Sequence, residues 1–181
     1  MAAEARLTSP SELKLLEARF FFAKMEASTN NIIEFPLFVS AFLSALRSCA
    51  SPSRLYSRDL RFRFWYDKLK TTHLNHPTLH LLGKLRDVEV HQTGNLKFGN
   101  ITFEMPAGVT VDARNLRFSG SGGEMVAEYV GEDGQRKPLA NVEFHWIWKS
   151  KGEPAVMPLC REGLDLVRKI VDTWVAMKFQ E

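Results

Sequence analysis

The strongest constraint on the fold is a change of texture that happens twice along the chain. From Ser9 to about His91, apolar residues recur at helical spacing. From Gly94 to Lys149 the glycines gather and short β-prone runs take over; from Leu159 to Phe179 the helical spacing returns. This order predicts a mainly α protein, an up-and-down helical bundle built from residues 10–92 and 155–179. Residues 94–149 are then an insertion before the last helix, a small antiparallel β-sheet or pair of hairpins. A chain of 181 residues has room for one such domain, spanning 1–181, and is short for two.

Local signals fix the elements. Ser9-Pro10-Ser11-Glu12 has the form of a capping box with proline at the first helical position. Leu13, Leu16, Phe20 and Ala23 follow at helical spacing, and Ser28-Thr29-Asn30-Asn31 breaks the helix. A second helix starts near Ile33 to Pro36 and runs to Cys49; it is apolar on most sides, which places it at the bundle's centre. From Leu37 to Cys49, Arg47 is the sole charged residue, so a buried carboxylate partner such as Glu17 is expected, or a place facing a cleft. A third helix is expected from about Ser57 to Thr71. There Arg58, Arg61, Arg63, Lys68 and Lys70 interleave with Phe62, Phe64, Trp65 and Tyr66, a pattern that either tracks an RNA backbone while stacking bases or makes an aromatic core face with a solvated basic one. Pro77 opens the helix that ends at His91. In the β-prone tract, Leu96–Met105, Val109–Val111, Asn115–Phe118, Met125–Val130 and Val142–Trp148 read as strands, with an Asp133-Gly134 turn between two of them.

Hydrophobic residues are 45% and charged residues 25% of the chain, the profile of a globular domain rather than a disordered or fibrous one. The net charge of +3 favours an anionic partner. Cys49 and Cys160 form no metal-ligand pattern and read as small buried apolar groups of a reducing compartment. No run approaches the roughly 20 apolar residues that span a bilayer, and the start lacks a signal core, so the expected location is the cytoplasm without membrane association. Phosphate-binding glycine loops and Cys-x-x-Cys pairs are missing from the sequence, which removes support for nucleotide hydrolysis, dinucleotide binding and structural zinc. His73, His76 and His80 lie close together, but no carboxylate accompanies them in a ligand pattern, so neither metal nor cofactor is assigned.

The helix from Pro77 to His91 holds the residues that suggest chemistry. On a wheel Leu81, Leu85 and Val88 form an apolar seam with Leu82 at its margin; Arg86 and His91, about 140° apart, bracket the other face around Gly83 and Asp87. A mid-helix glycine costs roughly 1 kcal/mol against alanine, so Gly83 predicts close approach of another segment or subunit. Arg86, the polar Asp87 directly after it, and His91 after four intervening residues resemble the Arg-x4-6-His motif of the HEPN superfamily. Residues 35–48, Phe64-Trp65-Tyr66 and the Val156–Arg161 lead into the last helix resemble HEPN-like bacterial proteins as well. The likeness covers about residues 10–92 and 145–178, and the β-rich insertion departs from it.

The resemblance implies a metal-independent endoribonuclease of toxin or defence type, homodimeric through the helix around Gly83 to His91, so that two motifs line one composite cleft. A cognate antitoxin protein is an implied partner. His91 would act as base or acid near its ordinary pKa, Arg86 would hold the phosphate, and Asp87 would orient the imidazole. Arg47, Arg61 and Arg63 are candidate RNA contacts. Two other readings stand beside this one: an ordinary Arg86–Asp87 surface ion pair with His91 at a helix C-terminus, and a catalytically silent dimeric HEPN-like module that binds its partner through residues 94–149.

Overall fold

The computed structural model describes residues 9–49, 64, 67–69, 75–91, 96–104, 115–131, 133–149, 152 and 154–178. Helix α1 spans Pro10–Ala27 and begins as its sequence demands: the Glu12 amide donates to Ser9 Oγ at 3.2 Å and the Ser9 amide donates to Glu12 Oε2 at 2.8 Å. Helix α2 spans Glu34–Cys49. Its first turn is capped by Asn31, whose Oδ1 accepts from the Ile33 and Glu34 amides at 3.0 and 2.9 Å. Helix α3 spans Pro77–His91 and α4 spans Val156–Lys178. The expected third helix lies almost wholly outside the described residues; Phe64 and Asp67–Leu69 are helical.

Between α3 and α4 run five strands: β1 Leu96–Glu104, β2 Leu116–Ser121, β3 Glu124–Val130, β4 Arg136–Pro138 and β5 Ala140–Trp148. They form two antiparallel sheets, β1 with β5, and β2-β3-β4 with β3 central. Leu139 alone separates β4 from β5, so one sheet feeds into the other. The Asp-Gly turn joins β3 to β4: Gly134 has φ +73°, Asp133 Oδ1 accepts from the Gln135 amide, and the Gly131 amide donates to the Gln135 carbonyl at 2.9 Å. The expected strand at Val109–Val111 lies outside the described residues.

The expectation of a mainly α bundle is overturned. The molecule is mixed α and β, with 26% of its described residues in strands, and those strands are not an appendage. Leu96 of β1 and Trp146 and Trp148 of β5 share one buried cluster with Leu15, Phe22, Phe35, Phe42, Leu82 and Val167 of the four helices. Trp146 stacks on Phe35 with ring centroids 4.8 Å apart, and its Nε1 donates to the Thr29 carbonyl at 2.7 Å. The alternation from Val142 to Trp148 is the cause. Phe144, Trp146 and Trp148 point inward, and side chains of this size cover helix faces that the bundle reading gave to other helices. The tip of the β2–β3 hairpin docks too, since the Ile32 amide donates to the Gly123 carbonyl at 2.7 Å and the Met125 amide to the Asn30 carbonyl at 2.8 Å. A smaller cluster of Ala127, Tyr129 and Leu139, joined by Phe103 and Val142, binds the two sheets together.

Helix packing corrects two residue-level expectations. Within the chain the close approach is at Gly163, where a Cβ would run into Leu82 Cδ1 and lie 3.4 Å from Leu46 Cδ2; of the segment or subunit expected at Gly83, no segment among the described residues comes within 4 Å of a Cβ placed there. The seam of α3 is accordingly turned toward Thr78, Leu82 and Leu85, all buried, leaving Leu81 and Val88 at its edge. On α1 the inward face is Leu15, Ala18, Phe22 and Met25, and the stripe of Leu13, Leu16 and Phe20 faces outward.

Candidate functional site

Helix α3 is started by His76, whose Nδ1 accepts from the Thr78 amide at 3.3 Å, and is anchored on α2 and α4 by Thr78, Leu82 and Leu85. Directly after the last anchor, Arg86 and Asp87 emerge where α3 runs beside α2. Arg47 Nη1 of α2 donates to Asp87 Oδ1 at 2.6 Å, and Arg86 Nη1 donates to the same oxygen at 3.1 Å. Two guanidiniums from different helices thus converge on one carboxylate oxygen. Arg47 and Asp87 are more than half exposed, at 57% and 54%, and Arg86 is 30% exposed.

This geometry corrects the expectation for Arg47. Glu17 pairs with Lys14 on α1, and Arg47 reaches the surface to meet Asp87. A lone charge on an otherwise apolar helix was the signal; its partner, 40 residues away in sequence, was not readable from spacing. Arg86 and Asp87 are joined as an exposed ion pair, the contact that the surface ion-pair reading expects. His91 is the last residue of α3, and its side chain lies outside the described residues, as do Arg61 and Arg63.

The electrostatics assign roles. The Arg86 hydrogen bond, then that of Arg47, holds the Asp87 carboxyl below the usual carboxylate range. Asp87 is therefore a carboxylate throughout the neutral range and serves as a clamp for two cations rather than as an acid or base. With two positive groups against one negative, the cluster keeps an excess of one positive charge. Each guanidinium carries five N–H donors in a fixed fork, and one from each is directed to Asp87. Arg86 Nε is shielded from solvent and has no hydrogen-bond partner among the described residues. The remaining donors suit an oxyanion with several acceptors, of which phosphate is the prime example.

Other candidates are weaker. Among the described residues no three of His, Cys, Asp and Glu gather as metal ligands would. Thr102 Oγ1 and His145 Nε2 are 3.0 Å apart, with Glu143 3.9 Å from that nitrogen. They lie on the exposed β1–β5 face, with no enclosure for a substrate. A depression of about 630 Å³ follows α4 past Met157, Arg161, Asp165 and Lys169 and includes none of the Arg47–Asp87–Arg86 group. Cys49 and Cys160 are both buried and not joined by a disulfide, and burial pushes the Cys160 thiol well above its ordinary range, which makes it inert. No helix among the described residues is long and apolar enough to cross a membrane.

No family model matches the chain, and no curated protein or solved structure matches it. What the site does must be argued from its own geometry.

Proposed function

We propose that the chain is a HEPN-like, metal-independent endoribonuclease that works at the α2/α3 edge around Arg47, Asp87 and Arg86. The observation that carries this reading is the convergence of two guanidiniums from separate helices on one exposed carboxylate, one helical turn before the histidine that ends α3. Arg47 and Arg86 bind the scissile phosphate and offset the charge that develops on its non-bridging oxygens. Asp87 keeps both guanidiniums in register. A His91 imidazole accepts the proton of the RNA 2′-hydroxyl as that oxygen attacks phosphorus, and a second protonated imidazole, from the paired protomer, delivers a proton to the departing 5′-oxygen. The 2′-O–P bond forms, the P–O5′ bond breaks, and the products are a 2′,3′-cyclic phosphate and a 5′-hydroxyl. The setting in this reading is the cytoplasm, the role that of a toxin or defence enzyme held in check by an antitoxin.

The exposure of Arg47 and Asp87 favours a second reading, an RNA- or partner-binding module that does not cleave, because water is not excluded from the cluster. One experiment separates the two. RNA cleavage in chelator-containing buffer is compared for wild type, His91→Ala and Arg86→Ala, and RNA affinity is measured for wild type and Arg47→Ala across a salt series. The enzyme reading expects cleavage by wild type and a loss of about a hundredfold or more in both site variants. It also expects weaker binding with a shallower salt slope in Arg47→Ala. Binding that depends on Arg47 without cleavage selects the silent module. Equal cleavage by all three proteins overturns both, and no RNA binding by wild type overturns the enzyme and leaves the silent module a partner other than RNA.

A further inference from the structure

Among the described residues, a row of large exposed apolar side chains lies on the outer face of α1, away from the Arg47–Asp87–Arg86 edge. Leu13, Leu16 and Phe20 are 55%, 54% and 55% exposed, and Ala23 and Ala27 continue the same line in the open. Positions 13, 16, 20, 23 and 27 alternate steps of three and four, the 3.5-residue repeat of a helix that pairs with another helix. The opposite face of α1 is already spent on the core through Leu15, Ala18, Phe22 and Met25. A helix that is apolar on both sides, where a surface helix needs one such side, has a second contact to make.

We infer that the outer face of α1 docks the same face of a second copy of this chain, the two helices running antiparallel. Charge on the flanks of the seam selects both the occupant and its direction. Glu17 and Lys24 lie on one flank; Glu12, Arg19 and Glu26 lie on the other. In a parallel pair the neighbours across the seam are five residues apart, so Glu12 faces Glu17 and Arg19 faces Lys24, both like-charged. In an antiparallel pair each flank meets itself. With Phe20 of one protomer against Ala23 of its partner, and Leu16 against Ala27, Glu17 comes opposite Lys24 and Arg19 opposite Glu26. The four cross-seam pairs of that register are opposite in charge, with Glu26 shared with Arg161 of its own protomer at 2.7 Å, and Phe20 and Leu16 each meet a small side chain. Lys24 already leans over the Phe20 ring, its Nζ 5.6 Å from the centroid, which puts its ammonium beside the seam. Helices α1 and α3 both pack on α2 and α4, so this surface is not the α2/α3 edge. The inference stands whether or not that edge cleaves RNA.

The contact runs about three helical turns, at the small end of specific interfaces, so the association should be reversible and concentration-dependent. Sedimentation velocity on the full chain over a wide concentration range reads it directly. Wild type is expected to associate further as concentration rises, whether or not protomers also pair at the α2/α3 edge, and Phe20→Glu, at a site already exposed in the monomer, to weaken that association about tenfold or more while the circular dichroism spectrum stays that of wild type. Glu17→Lys discriminates direction: it sets lysine against Lys24 in the antiparallel pair and weakens it, whereas in a parallel pair it relieves the Glu12 repulsion and tightens it. The double variant Glu17→Lys/Lys24→Glu is expected to restore wild-type association. A chain that stays monomeric at every concentration, a dimer indifferent to Phe20→Glu, or a dimer tightened by Glu17→Lys overturns the inference. RNA cleavage and binding, measured on the same Phe20→Glu protein, report on the other edge separately.

Discussion

Replacing each of two helical glycines by alanine tests the packing of α3 with opposite expected signs. In both Gly83→Ala and Gly163→Ala the helix gains about 1 kcal/mol from lost unfolded-state freedom and better propensity. At Gly83 the new methyl meets nothing within 4 Å, so the gain is kept, and Tm rises by roughly 2–4 °C for a chain of this size. At Gly163 the methyl runs into Leu82 Cδ1, with Leu46 Cδ2 3.4 Å away on another side. Leu82 is itself only 3% exposed, so its side chain must shift within the packed core, an overpacking that costs about 1–3 kcal/mol. Because the helix contribution is common to both variants, their difference isolates the packing cost: about 1–3 kcal/mol, or roughly 2–12 °C in Tm. Thermal unfolding followed by circular dichroism on the two proteins reads it. Equal stability would show that α3 and α4 do not approach as closely as Gly163 requires. A destabilising Gly83→Ala would refute the open surroundings of Gly83 and point to a second chain lying against α3 in solution.

Three further predictions follow from single contacts. Asp87 has a folded pKa below its unfolded value, so whatever stability its clamp contributes is present above about pH 4 and is lost as pH falls through the lower folded value; in an NMR titration Arg47→Ala and Arg86→Ala should each move that value back up, and an unmoved carboxyl would remove the clamp. Trp146→Phe should cost about 0.5–1.5 kcal/mol more than Trp148→Phe, because Trp146 Nε1 donates to the Thr29 carbonyl while the buried Trp148 Nε1 has no partner among the described residues; denaturant titration of the two variants compares them, and equal losses would refute the bond's contribution. Ser9→Ala should remove about 0.5–2 kcal/mol by opening the capping box, a loss that Ser9→Asp should largely avoid in the same measurement.

What the sequence made legible was whatever a residue does with its near neighbours. The capping box at Ser9, the break at Asn31, the Asp133-Gly134 turn and four of the five strands are local bargains between side chains and nearby backbone, and all lie where spacing puts them. What it hid was direction. Helical spacing shows that Leu13, Leu16 and Phe20 share a face, but α1 has two apolar faces, and only the bulk of Phe22 and Met25 among neighbouring helices decides which turns inward. The same ambiguity misassigned the strands: alternation from Val142 to Trp148 established a strand, while spacing did not show that its apolar side meets α2 through Phe35, which made the β region part of the core rather than an insertion. At the site, the Arg86-Asp87 pair was legible as adjacent letters, and Arg47 was not, since its tie to Asp87 exists only once α2 and α3 lie side by side. That order of dependence carries a consequence for the chemistry. Asp87 is held by one cation from its own helix and one from another, so the cluster reports the packing of α2 against α3. A change that loosens Leu82 or Leu85 should release Arg47 from Asp87, and weaken anion binding, without touching any charged residue.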